Sequence, residues 1–180
     1  MIELNKCPSC DSSKIAPYID CIDYTMSKEN FTIVSCETCD FKFTNPRPED
    51  EKLGNYYKSE NYISHTNNKT GVFNKLYHYA RKKSINIKLK LIKHKASGKK
   101  ILDIGSGTGE FLKASESLGY SGIGIEPSDI ARNNAIKNHN LKISKDTSLK
   151  QFETNEFDVI TMWHVLEHVS DLNNTIKKLH

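Results

Sequence analysis

Three groups of residues in this chain have the types and the spacing to do chemistry. The first is the alternation Gly105, Gly107, Gly109, which follows a short apolar run (Ile101, Leu102, Ile104) with Asp103 set inside it. Alternate glycines let a backbone turn sharply and let a ligand come to contact distance. The amphipathic segment opened by Glu110, Phe111 and Leu112 aims a helix N-terminus at that turn. The combination predicts a ligand loop. The second group is Cys7-Pro-Ser-Cys10 and Cys36-Glu-Thr-Cys39, two Cys-x-x-Cys knuckles with 25 residues between them. Paired knuckles of this kind supply the four soft ligands of a tetrahedral zinc ion. The third is His164, Glu167 and His168, which follow directly on the apolar stretch 157–163. A neutral imidazole can take a proton near pH 7.

The ligand of the glycine loop is narrowed by its neighbours. A dinucleotide fingerprint needs glycine at the sixth position, where this chain has Glu110, and a carboxylate there would point at a pyrophosphate. No Gly-Lys-Ser/Thr follows, so a P-loop is excluded as well. The stretch closely resembles the glycine loop of class I methyltransferases that use S-adenosylmethionine, whose ligand end is a zwitterionic amino acid and tolerates an acidic neighbour. The later stretches GIE at 124–126 and FDVI…LEHV at 157–169 carry the same resemblance, which covers residues 99–171. It implies that Asp103 lies near the methionine ammonium and that Ile104, Gly105, Ser106, Gly107, Gly109, Pro127 and Trp163 line the cofactor. It also implies that Asp146 stands beside the adenine. Glu126 ends a strand, where a carboxylate can accept bonds from both ribose hydroxyls, as it would in a dinucleotide enzyme too.

Around the methyl acceptor, the expected residues are His164, Glu167, His168, Tyr62 and His65. His164-x-x-Glu167-His168 is formally an inverted zincin motif, but that motif needs both histidines on one helical face, and here His164 comes straight off a predicted strand. Some small-molecule O-methyltransferases hold magnesium with Glu-x-x-Glu-His at this place. His164 breaks that carboxylate pair. Glu167 and His168 have a second reading as helix braces. Tyr56, Tyr57, Tyr62 and His65 either form a lid over the substrate or cover the side of the main domain.

The elements that must position these groups read as follows. Residues 1–45 form a zinc ribbon, with short strands in IAPYIDCIDY, FTIVSC and FKFTN; disulfides are the competing reading of its cysteines. Asp11 and Asp40 after the knuckles accept a left-handed backbone, and Cys21 reads as a small buried hydrophobe. Residues 46–98 hold a proline-stiffened linker, the aromatic segment and a helix over 72–95. On that helix Phe73, Leu76, Tyr79 or Ala80, Ile85, Ile87, Leu89 and Ile92 share an apolar face. Residues 99–180 alternate strand and helix, with Ile130, Ala131, Ala135 and Ile136 inward on the second crossover helix. The fold class is therefore α/β, a Rossmann-like doubly wound parallel sheet behind a small ribbon and a helical cap. Only four of the family's seven strands are visible before His180, so the chain reads as a fragment able to self-associate through its open edge.

Net charge is +4, yet the eleven lysines and arginines of 61–102 meet no Asp or Glu, which leaves the remainder at −7. Such a segment suits an anionic partner or a solvated lysine-rich helix equally. No run of apolar residues reaches membrane-spanning length and no signal-peptide pattern opens the chain, which points to the cytoplasm and to reduced thiols. A zinc ribbon ahead of this domain resembles bacterial methyltransferases of sugar and cell-surface polysaccharide pathways. The expected activity is S-adenosylmethionine-dependent methylation of a small anionic acceptor, a nucleotide-linked sugar above others, with structural zinc. Nucleic acid is disfavoured because Tyr56, Tyr57 and Tyr62 precede the basic stretch instead of interleaving with it. The rival readings are a zinc-finger ribosomal RNA methyltransferase and a non-catalytic binding fragment.

Overall fold

A computed structural model describes residues 1–24, 26–53, 56 and 72–179, with the side chains of 72–75 left aside. Tyr57, Tyr62 and His65, expected near the acceptor or in its lid, lie outside the described residues. The chain forms two compact units, residues 1–70 with 170–177, and residues 71–169 with 178–180.

In the first unit, β1 (Ile15–Ile22), β2 (Asn30–Cys36) and β3 (Lys42–Thr44) make an antiparallel sheet in that order. Each knuckle turns on an aspartate in the left-handed region, Asp11 at φ 59° and Asp40 at φ 58°. The Asp11 N–H donates to the Cys7 carbonyl at 3.0 Å and the Asp40 N–H to the Cys36 carbonyl at 2.9 Å, so the two turns are alike. Cys21 is exposed, not buried. It sits on the exposed stretch of β1, and its thiol donates to the Phe31 carbonyl at 3.5 Å. A one-turn helix α1 (Asp50–Leu53) follows. Tyr56 packs edge-on against Phe31 and donates to Glu29 at 2.6 Å, so this member of the aromatic segment belongs to the first unit.

The second unit opens with α2 (Val72–Lys95) and continues β4 (Lys100–Ile104), α3 (Glu110–Glu116), β5 (Ser121–Ile125), α4 (Asp129–His139), β6 (Ile143–Ser144) and β7 (Val159–Thr161). All pairings in its sheet are parallel, in the order β6-β5-β4-β7. Chain order therefore reverses direction at β4: β5 and β6 build to one side and β7 returns to the other. That is the switch point at which doubly wound sheets bind ligands, outside the carboxyl ends of their strands. A single-turn 3-10 helix (Leu166–His168) and α5 (Leu172–Leu179) complete the described chain.

Ile101 of β4, Leu112 and Phe111 of α3, Tyr120, Leu141, and Leu89 and Ile92 of α2 form one apolar cluster. Fully burying a side chain such as Ile101 or Leu112 contributes about 1.5–3 kcal/mol. Helix α2 spans the predicted residues, but among the described side chains of its expected face only Leu89, Ile92 and the partly buried Ile85 pack inward. Leu76, Tyr79 and Ile87 are exposed: at 3.6 residues per turn Leu76 and Ile87 fall on the side of the helix opposite Ile85, Leu89 and Ile92. On α4 Ala135 is buried, while Ile130 and Ile136 point outward. Ser128 caps α4, accepting from the Ala131 N–H at 3.4 Å, and Asn140 ends it in the left-handed region. No helix among the described residues is long and apolar enough to cross a membrane.

Candidate cofactor site and cysteine centre

The parallel sheet sends the loops after β4, β5, β6 and β7 to one edge, and every described residue expected at the cofactor lies in those loops or at the strand ends feeding them. Gly105 and Ser106 donate their N–H groups to the Ile125 carbonyl, at 2.8 and 3.0 Å, which ties the loop to the end of β5. The three glycines then differ in what they face. A side chain on Gly105 would strike Val165, and one on Gly109 would strike Leu141 and Ala135. Gly107 stands at φ 55° with nothing within 4 Å of where its Cβ would be. Two glycines serve close packing and the middle one opens the cradle.

Glu126, 8% exposed, does more than end β5. Its Oε2 accepts from the Gly107 N–H at 2.8 Å and its Oε1 from the Ser128 N–H at 2.8 Å. A carboxylate has about four lone-pair positions, so capacity remains on both oxygens for hydroxyls of a ligand. The same side chain thus latches the glycine loop and starts α4. Pro127 intervenes between the two. Asp146, after β6, accepts from the Ser148 N–H at 2.8 Å, and its pKa is held low first by that backbone bond.

Asp103 is the buried charge of the site, 3% exposed at the end of β4. It pairs across the switch point with Thr161 of β7, whose Oγ1 donates to Asp103 Oδ1 at 2.6 Å. Burial pushes its pKa up to about 6, and Glu126 adds to the rise, while Thr161 and Lys88 work against it. Lys88, from the inward side of α2, sits 4.7 Å from the centre of the Trp163 ring. Burial holds its ammonium below the ordinary lysine value, opposed by the attraction of Asp103. Trp163 meets Phe111 edge-on at 5.6 Å. Two buried polar atoms here, Ser106 Oγ and Trp163 Nε1, have no hydrogen-bond partner among the described residues. An under-compensated carboxylate, an ammonium electrostatically coupled to it, an open glycine cradle and two orphaned donors fit a small zwitterionic ligand. Thr161 and Lys88 escape a reading by motif, because each acts through a partner distant in sequence.

The residues expected at the acceptor follow Trp163 at the end of β7. His164 is 83% exposed with φ 58°, a left-handed conformation unusual for a non-glycine residue, and its Nδ1 lies 3.6 Å from Glu167 Oε1. Glu167 and His168 sit in the 3-10 turn, both exposed, and the His168 N–H donates to the Val165 carbonyl at 2.9 Å. A single 3-10 turn does not place His164 and His168 on one helical face, which removes the basis of the zincin reading.

In the first unit the four knuckle sulfurs lie within 4.8 Å of one another, with Cys7–Cys39 at 3.7 Å and Cys10–Cys36 at 3.6 Å. Zinc–sulfur bonds of about 2.3 Å give tetrahedron edges of about 3.8 Å, whereas a disulfide needs about 2.05 Å. The donor set fits a metal. Burial opposes ionisation of Cys36, yet the Cys39 and Thr38 N–H groups and the neighbouring thiols bring its pKa down to about 6. Cys7 and Cys36 are buried and Cys10 and Cys39 exposed, so the cluster has one face toward the ribbon and one outward.

Fold and site together define a doubly wound domain with a small-ligand crevice at its switch point. Residues 76–180 match the family described as "Methyltransferase domain", and the chain belongs to that family. It is 35% identical over 99 residues to the ubiquinone biosynthesis O-methyltransferase of Actinobacillus pleuropneumoniae serotype 7, a match covering 47% of this chain and 42% of that protein. The namesake from Glaesserella parasuis is 37% identical over 91 residues, covering 44% and 39%. The chain thus spans about two fifths of the length of these relatives. Among solved structures, magnesium protoporphyrin IX methyltransferase from Synechocystis PCC 6803 with bound SAH superposes at a TM-score of 0.55 with 12% identity, over 73% of this chain and 68% of that one. That likeness concerns the fold.

Proposed function

We propose that this chain is the cofactor-binding part of an S-adenosylmethionine-dependent methyltransferase carrying a structural zinc ribbon. The observation that carries the reading is Asp103, a buried and under-compensated carboxylate beside the open Gly107 cradle, with Glu126 latched to the same loop. When bound, S-adenosylmethionine supplies a methyl group on a positively charged sulfur. Asp103 holds the ammonium of its amino-acid end and Lys88 its carboxylate. Glu126 takes the ribose hydroxyls on its remaining lone pairs, Ser106 and Trp163 offer their unused donors, and Asp146 lies beside the base. Positioning of this kind is where most of the rate of a displacement arises. His164 borders the acceptor; Glu167 orients its Nδ1 side and leaves Nε2 to take the acceptor's proton. Tyr62, His65 and His168 belong to the same proposal as acceptor contacts. Cys7, Cys10, Cys36 and Cys39 hold zinc in a closed four-thiolate site, which leaves no position for catalysis.

For the acceptor, the zinc ribbon joined to TNPRP and WHVLEHV supports a small anionic molecule such as a nucleotide-linked sugar. The names of the relatives favour a second reading, O-methylation of an intermediate of ubiquinone biosynthesis. Calorimetric titration with S-adenosylmethionine, NAD and ATP tests the cofactor; tighter binding of NAD overturns it. Transfer of a labelled methyl group to nucleotide sugars, to quinone precursors or to total RNA separates the acceptors. Salt-sensitive labelling of RNA alone would replace the small-molecule reading.

A further inference from the structure

A groove of about 670 Å³ runs between α2 and α3, on the helical face of the second unit, and the methyl-transfer reading makes no use of it. Its floor is apolar: Ile85 and Leu89 from α2, Ala114 and Leu118 from and after α3. Its walls are basic. Arg81, Lys82, Lys90 and Lys93 line one side and Lys113 the other. The carboxylate inside it, Glu110, is already matched by Arg81 at 3.4 Å, with the His139 Nε2 atom 3.6 Å away. Lys113 is matched by Glu116 at 2.8 Å. Lys82, Lys90 and Lys93 have no ion pair among the described residues. The groove therefore presents a surplus of positive charge around a strip that remains partly open to water, with Leu118 46% exposed.

The shape of this surplus selects among anionic occupants. Lys82, Lys90 and Lys93 follow one side of α2, with Asn86 between, at the repeat of a helix, and span about 16 Å at 1.5 Å per residue. A second helix laid along the groove brings carboxylates at the same repeat against them, with its apolar residues on the floor. No Phe, Tyr or Trp lines the groove, so it lacks the stacking platforms by which single-stranded nucleic acid is held. The apolar strip is recessed between charged walls, the reverse of the protruding apolar face that enters a bilayer.

We propose that this groove is a docking site for an acidic amphipathic helix of a partner protein, bound by the helix-in-groove mode. The inference is independent of the cofactor reading. The probe is a fluorescein-labelled peptide of roughly 16 residues, with leucines at i, i+4, i+7 and i+11 and glutamates flanking them, followed by fluorescence anisotropy. Saturable binding is expected, weakening at least tenfold between about 0.05 and 0.3 M salt as the charges are screened. The triple substitution Lys82→Glu, Lys90→Glu, Lys93→Glu is expected to weaken it tenfold or more. These side chains are exposed, and an unchanged circular dichroism spectrum and melting temperature establish that the variant is folded. Leu118→Asp tests the floor separately and should weaken binding to a similar degree. Peptides with serine for leucine, or lysine for glutamate, should not bind. Absence of saturable binding, or binding indifferent to both sets of substitutions, overturns the proposal. So does tighter capture of single-stranded RNA or of phosphatidylglycerol vesicles that the charge reversal abolishes.

Discussion

The ribbon unit and the sheet unit bury very different things. Among described residues the first buries Cys7, Val34, Cys36, Pro48 and Leu172, so two of its five interior side chains are the thiols of its cysteine centre. The second closes seven apolar residues from two helices, a strand and two loops around β4. An interior as sparse as the first cannot offset the entropy of ordering some fifty residues at about 1–2 kcal/mol each, whereas apolar cohesion suffices for the second. Side-chain chemistry therefore has opposite roles in the two. With zinc bound, as proposed, it would supply the ribbon's stability, and in the sheet unit it strains a fold that apolar packing already holds. Asp103, a carboxylate kept out of water with its pKa raised to about 6, is that strain.

The largest effect expected from this contrast is in the ribbon. Structural zinc contributes about 10–16 kcal/mol of apparent free energy to small modules, so chelation, or Cys36→Ser, should abolish the ribbon's dispersed amide resonances in an NMR spectrum. Elemental analysis should give one zinc per chain in the wild type, and retention of a full zinc by Cys36→Ser would break the comparison. Next comes the apolar interior of the sheet unit. Leu112→Ala should cost about 2–5 kcal/mol in denaturant unfolding and leave the zinc content unchanged, because Leu112 belongs to the apolar cluster of the sheet unit and the four cysteines to the ribbon unit.

The third effect runs in the stabilising direction. The folded-state pKa of Asp103 lies above its ordinary value of 3.8, so the protonated carboxyl favours the fold. That contribution is complete below about pH 4 and is lost as pH rises through about 6. Asp103→Asn, which can still accept from Thr161, should match the wild type near pH 4 and exceed it near pH 8. The difference is at most roughly 3 kcal/mol, read as a raised melting temperature in the absence of ligand. A smaller effect belongs to Lys88→Met, which keeps the apolar stem against Trp163 but removes the charge. Melting should barely change while the affinity for S-adenosylmethionine falls about tenfold, or 1.4 kcal/mol.

Much of this was legible in the sequence wherever a local rule decides the outcome. The knuckle turns followed from aspartate in the left-handed region, the bounds of α2 from its 3.6-residue period, and the glycine loop from its spacing between a strand and a helix. Reading failed where a partner distant in sequence decides. The broad apolar face drawn on α2 includes Leu76 and Ile87, which the 3.6-residue period puts opposite Ile85, Leu89 and Ile92, and on α4 Ile130 and Ile136 do not share the direction of the buried Ala135. Cys21 sits in a strand pattern, yet most of β1 is exposed among the described residues. Thr161 and Lys88 carry no motif, and only the parallel pairing of β7 with β4 and the path of α2 bring them to Asp103. Glu126 was legible as the acid that ends β5, but its bonds to Gly107 and Ser128 depend on how the loop folds back.

The central claim is that Asp103 is held in readiness for a cationic group, and one measurement tests it directly. Titration calorimetry of S-adenosylmethionine against the wild type and Asp103→Asn at several values between pH 5 and pH 8 reports the affinity and its proton linkage together. An ammonium beside the carboxylate favours ionisation, so wild-type affinity should rise as pH passes through about 6 and then level off, with proton release below that point. The Asp103→Asn protein should bind at least tenfold more weakly at pH 8 and show no such rise. Equal affinities at pH 8, or the same pH dependence in both proteins, would contradict the account.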